Sequence, residues 1–119
     1  MKHPPAFRCC QPGLLFEAVD RDAGIFLDLA QLFVQETIAR FDDIARLSAA
    51  RAYNDMGHEA HSLKGTVGAV GADGLVLLLQ DIERNGLQHR RPCSDAQLAQ
   101  LRQGLQLARD DMDAYIAAL

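Results

Sequence analysis

Hydrophobic residues recur along most of the chain three and four positions apart, which is the spacing of an α-helix that buries one face. The longest run of this pattern predicts a helix over about residues 22–50. Its apolar positions are Phe26, Leu29, Phe33, Ile38, Phe41, Ile44 and Leu47 or Ser48. No window alternates apolar and polar residues in a sustained way, so the pattern predicts no β-strand.

The same periodicity indicates further helices along the rest of the chain. A short one is expected after Pro12, and longer ones over about residues 53–70, 73–85 and 94–119. The sequence therefore predicts an all-α protein, an antiparallel four-helix bundle with a short additional N-terminal helix. We expect residues 1–12 to form a flexible N-terminal lead and residues 13–119 to form one bundle domain.

Residues at the ends of these segments favour the same boundaries. Gly71 is a suitable C-terminal stop for the helix before it, and Asp73 is a suitable N-cap for the next one. The pair Asn85–Gly86 is expected to end that helix. The segment SDAQ, residues 94–97, has the form of a capping box and predicts the start of the last helix.

Composition and charge restrict the classes of function. The chain of 119 residues suits one domain, and its formal net charge of −4 comes without any basic run longer than Arg90–Arg91. Nucleic acid is therefore not an expected partner. No segment has the apolar length of a signal peptide or a membrane span, so we expect a cytoplasmic protein. The cysteines, Cys9, Cys10 and Cys93, are expected to be reduced thiols rather than a disulfide framework.

The segment HEAHSLKGTVGAVGADG, residues 58–74, combines two histidines and a lysine with four glycines. On a helical wheel with about 100° per residue, His61 points away from the apolar face of this helix. Lys64 lies about 60° to one side of it and His58 about 60° to the other. The residues of the apolar face are Met56, Leu63, Val67 and Val70. The sequence therefore predicts an exposed histidine.

Gly57, Gly65 and Gly68 form a strip within about 40° of His61 on this wheel. Each glycine in a helix costs about 1 kcal/mol relative to alanine, so the strip forgoes roughly 3 kcal/mol. Close approach of another protein to the imidazole explains such a strip. Close packing against a neighbouring helix, or a frayed helix, explains it equally well. The residues alone leave these alternatives open.

An exposed imidazole offers a nucleophilic ring nitrogen near neutral pH. With Lys64 one turn away to offset incoming negative charge, His61 is suited to carry a phosphoryl group. The alternatives are an ordinary solvated histidine and lysine, or a metal site formed by His58 and His61 with Glu59. A metal site is disfavoured because HEAHS misses the zinc-protease pattern H-E-x-x-H at Ser62, and no second histidine pair follows.

The stretch AHSLKGTVGAVGADGLVLLLQDIE, from Ala60 to Glu83, resembles the signature of histidine-containing phosphotransfer (HPt) domains, the phosphocarriers of multistep phosphorelays. The resemblance covers about residues 20–119. The chain departs from the family pattern at Ala69, where relatives often carry asparagine, at Ala52, where an aspartate commonly caps the helix, and at Asp73–Gly74. The matching positions are Ala60, His61, Leu63, Lys64, Gly65, Gly68, Gly71, Ala72, Leu75 and Glu83.

The resemblance implies a four-helix bundle in which His61 accepts a phosphoryl group from a receiver-domain aspartate and passes it to another receiver. Lys64 would neutralise the phosphoryl group. Glu83 would accept a hydrogen bond from Nδ1–H of His61, which leaves Nε2 as the phosphorylated nitrogen. The expected receiver-docking residues are Gly65, Gly68 and His58.

The resemblance also implies a phosphocarrier rather than an enzyme with its own ATP site, and the chain lacks the G-x-x-x-x-G-K-[ST] order of a nucleotide-binding loop. The expected partners are response-regulator receiver domains and a hybrid sensor kinase. No cofactor or metal is expected in this chain, since the receiver supplies the divalent metal. We expect a monomer. The alternative from another class is a helical interaction module that binds a receiver or kinase without carrying phosphate.

Overall fold

Five α-helices and one π-helical turn make up the part of the chain that the computed structural model describes, residues 7–119. The π-helical turn, Asn85–His89, continues directly from the fourth helix. No β-strand occurs within residues 7–119, so the predicted all-α class is confirmed. The helices are α1 Pro12–Ala18, α2 Ala23–Ala49, α3 Tyr53–Ala69, α4 Asp73–Arg84 and α5 Asp95–Ala118.

The four longer helices contact one another in a ring around one apolar core. Helix α2 packs on α3 and α5, α4 packs on the same two helices, and α1 lies against α2 and α5. The largest fully buried side chains of the core include Phe26, Ile44, Met56, Leu63, Leu79, Ile82, Leu101, Leu105 and Met112. Among the helices of residues 7–119, none combines the length and apolar character needed to cross a membrane.

The buried stripe of α2 differs from the predicted one at two positions. Leu29 is 40% exposed, whereas the neighbouring Ala30 is fully buried. Leu29 lies beside the stripe and lines an apolar groove between α2 and α3. Ile38 is only partly buried, and the neighbouring Thr37 is buried in its place. Of the two residues predicted as alternatives near the end of α2, Ser48 is buried and Leu47 stays partly exposed. The Ser48 hydroxyl accepts a hydrogen bond from the backbone N–H of Cys93 at 2.8 Å, which compensates for its burial.

Two of the predicted helix ends are present. Gly71 has a φ of 71°, and the N–H of Ala72 donates to the carbonyl of Val67 at 3.0 Å, so a left-handed glycine closes the C-terminus of α3. Ser94 Oγ accepts a hydrogen bond from the Gln97 N–H, and the Gln97 amide oxygen accepts one from the Ser94 N–H. The capping box predicted for α5 is therefore confirmed.

Helix α4 begins at Asp73 and ends at Arg84, where the sequence predicted its ends, but neither end has the predicted form. Ala72, rather than Asp73, is the N-cap of α4, and it makes no side-chain capping bond. Asp73 lies in the first turn, where its carboxylate is favoured by the positive end of the helix dipole. Asn85–Gly86 does not end the helical path, because the chain continues through the π-helical turn to Arg90, whose left-handed φ of 49° stops it.

The expected flexible lead over residues 1–12 requires correction over its second half, while residues 1–6 lie outside the described residues. The backbone N–H groups of residues 8–10 donate to the carboxylate of Asp111 on α5 at distances of 2.7 to 3.1 Å. Asp111 is only 3% exposed, and a buried carboxylate is stable only when donors surround it. The sequence pattern does not distinguish Asp111 from its exposed neighbour Asp110, so this anchor was not foreseen.

Burial also governs the three free thiols. Desolvation raises the pKa of Cys9, Cys10 and Cys93, and the negative charge of Asp111 raises the first two further, with the pKa of Cys10 reaching about 12. A thiol with a raised pKa carries little thiolate near neutral pH and reacts slowly. The cysteines therefore act as small packing residues in this fold.

We expect Asp111→Ala to lower the free energy of unfolding by about 2–3 kcal/mol, because three buried or partly buried N–H groups lose a charged acceptor. Denaturant unfolding of the full chain measures this change. Asp110→Ala is the matched control: its exposed pair with Arg8 spans 3.6 Å and is worth at most about 1 kcal/mol. Equal losses for the two variants would contradict the anchoring role of Asp111.

Candidate functional site

Helix α3 presents His61 to solvent and buries the opposite face. The His61 side chain is 65% exposed, whereas Met56, Leu63 and Val67 are fully buried. This division follows from the helical spacing of these residues, since the apolar ones share the side that meets the core. His61 is therefore held on a packed helix while its ring stays accessible.

The carboxylate of Glu83 contacts two other predicted site residues, His61 and Lys64. Oε2 of Glu83, on α4, lies 2.9 Å from Nδ1 of His61. Its second oxygen, Oε1, accepts a hydrogen bond from Nζ of Lys64 at 2.7 Å. Because an ionised carboxylate only accepts hydrogen bonds, this contact requires the proton of the neutral ring to sit on Nδ1. Nε2 is then the nitrogen with a free lone pair, and it is the nucleophilic one.

The electrostatics of the cluster keep Glu83 ionised. The hydrogen bond from Lys64 lowers the pKa of Glu83 most, the hydrogen bond from His61 and the charges of both residues lower it further, and partial burial opposes them. Because the pKa of Glu83 is lower in the folded state, its carboxylate stabilises the fold at pH values above the unfolded pKa of about 4.3. That contribution is lost as the pH falls through the lowered folded value. Near neutral pH Glu83 is therefore ionised and able to accept hydrogen bonds from both His61 and Lys64.

A second polar cluster lies on the flank of α3 that faces α2. The guanidinium of Arg40 donates to Glu59, Ser62 and Thr66 at 3.2, 2.6 and 3.0 Å. No local pattern in the sequence singles out Arg40. Its partners are about 20 residues away and follow no motif. Only the polar residues at 59, 62 and 66, which share one helical face, hinted at such a contact.

The glycine strip divides into two parts with different surroundings. A Cβ on Gly57 would lie 2.6 Å from Cγ of Leu87 in the π-helical turn, so this glycine is packed against its neighbour. Around Gly65 a Cβ would meet nothing within 4 Å, and on Gly68 it would make only an ordinary contact of 3.7 Å with Val76. Packing therefore explains Gly57, whereas packing does not explain Gly65 or Gly68.

The remaining predicted residue, His58, is exposed on α3. Within residues 7–119 it makes no hydrogen bond or ion pair with His61, Lys64 or Glu83. The same part of the chain holds no group of three or more histidine, cysteine, aspartate or glutamate side chains arranged to bind a metal ion. The structure thus brings together His61, Lys64 and Glu83, and leaves His58 apart from them.

An all-helical fold with an exposed histidine, one ring nitrogen of which meets a carboxylate, is the form expected of a phosphocarrier protein. Comparison with known families identifies which one: the family described as "Hpt domain" matches residues 28–111, more than half of the chain. The chain therefore belongs to the Hpt domain family, and the resemblance noted in the sequence is confirmed. Comparisons with curated proteins and with solved structures gave no significant match.

Membership of this family has general consequences for the chain. Hpt domains are phosphocarriers that take part in histidine phosphotransfer within two-component phosphorelays, and they are not conventional enzymes. They interact there with receiver domains and kinases. The matched range contains His61, Lys64 and Glu83, together with Gly65 and Gly68.

Alanine at the two kinds of glycine should have opposite consequences. We expect Gly65→Ala to raise the free energy of unfolding by up to about 1 kcal/mol, because alanine favours the helix and meets open space. Gly57→Ala gains the same propensity but displaces Leu87, so it should be at least about 1 kcal/mol less stable than Gly65→Ala. Thermal and denaturant unfolding of both variants measures the difference, and equal stabilities would contradict the packing role of Gly57.

Proposed function

We propose that this chain is a phosphorelay intermediate in which His61 takes a phosphoryl group from the aspartyl phosphate of one receiver and gives it to an aspartate of another. In the first transfer an N–P bond forms at Nε2 while the O–P bond to the aspartate breaks. The ring keeps its proton on Nδ1 throughout. The observation that carries the proposal is the 2.9 Å contact between Nδ1 and Glu83, which leaves Nε2 as the nucleophile.

In this proposal Lys64 neutralises the phosphoryl group. Its ammonium has three N–H donors, and the 2.7 Å bond to Glu83 occupies one of them. The side chain is 24% exposed, so the other donors remain available to phosphoryl oxygens that arrive beside His61. Charge-assisted hydrogen bonds of this type are the stronger class, which suits a group that must hold a transient negative charge.

Receivers are proposed to dock over Gly65, Gly68 and His58. Because the two glycines carry no side chain, another protein can approach the imidazole closely there. The receiver would bring the aspartate and a divalent metal, and this chain would contribute neither a metal nor an ATP site. Catalysis would then rest on positioning and charge neutralisation, as in other phosphoryl transfers. We further propose an antiparallel four-helix bundle over residues 13–119 that acts as a cytoplasmic monomer, with a hybrid sensor kinase upstream.

His61→Gln should abolish phosphate acceptance and leave the helical circular-dichroism signal unchanged, because His61 is exposed and outside the core. The measurement is transfer from labelled phospho-receivers, followed by mass spectrometry for an acid-labile, base-stable adduct. His89→Gln is the matched control, because His89 is an exposed histidine of the π-helical turn outside the proposed docking surface, and it should keep acceptance. Label that persists in His61→Gln would contradict the proposal. Receiver binding without any adduct in the native chain would instead support an interaction module.

Gly68→Leu should reduce transfer from a receiver while preserving stability. The added side chain projects from the exposed side of α3, where Val76 lies at ordinary contact distance. In-line transfer needs near contact, and a misplacement of about 1 Å costs roughly 100-fold. A small donor such as phosphoramidate should still label His61. A stable variant that accepts from the receiver at the native rate would show that Gly68 does not serve docking.

A further inference from the structure

The guanidinium of Arg40 joins α2 to two consecutive turns of α3. Nε donates to Glu59, and the two terminal nitrogens donate to the hydroxyls of Ser62 and Thr66. The Arg40 and Glu59 side chains are only 20% and 30% exposed, so water screens this contact less than it screens the exposed pair of Arg46 on the same helix. Arg40 is thus a partly buried polar link between two helices.

The three acceptors bracket His61 along the chain. Glu59 precedes it by two residues, and Ser62 and Thr66 follow it by one and five residues. They lie on the flank of α3 that faces α2, whereas His61 reaches Glu83 on the flank that faces α4. The turns that carry His61 are therefore held by polar contacts from both neighbouring helices.

These turns have little helical tendency of their own. Gly65 and Gly68 cost about 1 kcal/mol each relative to alanine, and the β-branched Thr66 and Val67 lie between them. Around Gly65 there is also no side-chain packing to compensate. A planar guanidinium suits this place, because its donors form a rigid fork that fixes the rotation of the helix as well as its distance.

We propose that Arg40 is a positioning residue for His61: it fixes the rotation of α3 about its axis and so keeps Nδ1 of His61 on Glu83. The proposal rests on the proposed function of His61 for its consequence in phosphotransfer. Arg40 acts through the helix, whereas Lys64 acts on the phosphoryl group itself. The guanidinium of Arg40, on the α2 side, would therefore offset the flexibility that Gly65 and Gly68 introduce into α3.

The test compares Arg40→Met with the native full-length chain at a temperature where both are folded. We expect amide hydrogen exchange over residues 61–68 to accelerate about tenfold or more, with little change in α5. The ring-nitrogen NMR shifts of His61 should move toward a mixture of tautomers, because the contact with Glu83 becomes intermittent. Transfer from a phospho-receiver should fall about tenfold or more, since displacement of the reacting atom is costly.

Two further variants keep the test decisive if Arg40→Met unfolds. Ser62→Ala removes one acceptor without touching the arginine, and it should change the His61 shifts and the local exchange in the same direction by a smaller amount. Arg40→Lys keeps the charge but loses the fork, so it should not restore the native shifts. Arg46→Met, which breaks an exposed pair on the same helix, is the control and should leave all three measurements unchanged.

Native His61 ring shifts and native transfer rates in folded Arg40→Met, or in Ser62→Ala if the former does not fold, would overturn the proposal. A lowered melting temperature with unchanged shifts would likewise reduce Arg40 to a merely stabilising contact. The exchange and shift measurements need no phosphate. If native His61 accepts no phosphoryl group, the proposed function fails. The exchange and shift measurements would still decide whether Arg40 positions the ring.

Discussion

The arrangement of the site depends on the close approach of two backbones, α3 and the π-helical turn. A Cβ on Gly86 would lie 2.8 Å from the backbone nitrogen of Gly57, so any residue larger than glycine at position 86 would force the two segments apart. Gly57 lies about one turn before His61, and Gly86 lies about one turn after Glu83. This approach brings α4 so near to α3 that a glutamate side chain spans the gap and reaches both His61 and Lys64.

The parts of the fold that local patterns specify were predictable from the sequence. Apolar spacing located the helices, and the Gly71 stop and the Ser94 capping box each depend only on residues within one turn. Contacts between distant residues were not predictable. Asp111 binds backbone groups about 100 positions earlier, and Arg40 binds side chains on another helix, so nothing in their own neighbourhoods reveals a partner.

The candidate site shows the same division. Helical spacing indicated an exposed His61 with Lys64 one turn on, but Glu83 entered only through the resemblance to a family, because its distance from His61 along the chain carries no local signal. Periodicity also grouped Gly57 with Gly65 and Gly68, although their surroundings differ. A helical wheel reports which way a residue faces, and it does not report how near the next helix lies.

The bridging carboxylate of Glu83 has a consequence for which residues can replace it. A glutamine at this position would match glutamate in shape. An amide, however, offers one acceptor oxygen and an NH₂ group that only donates. With His61 and Lys64 both donating to position 83, the NH₂ group of a glutamine would face a donor, whichever way the amide turned. In this chain glutamate and glutamine are therefore not equivalent at position 83, because Lys64 needs an acceptor there as well as His61. Either residue could accept the hydrogen bond from His61 alone.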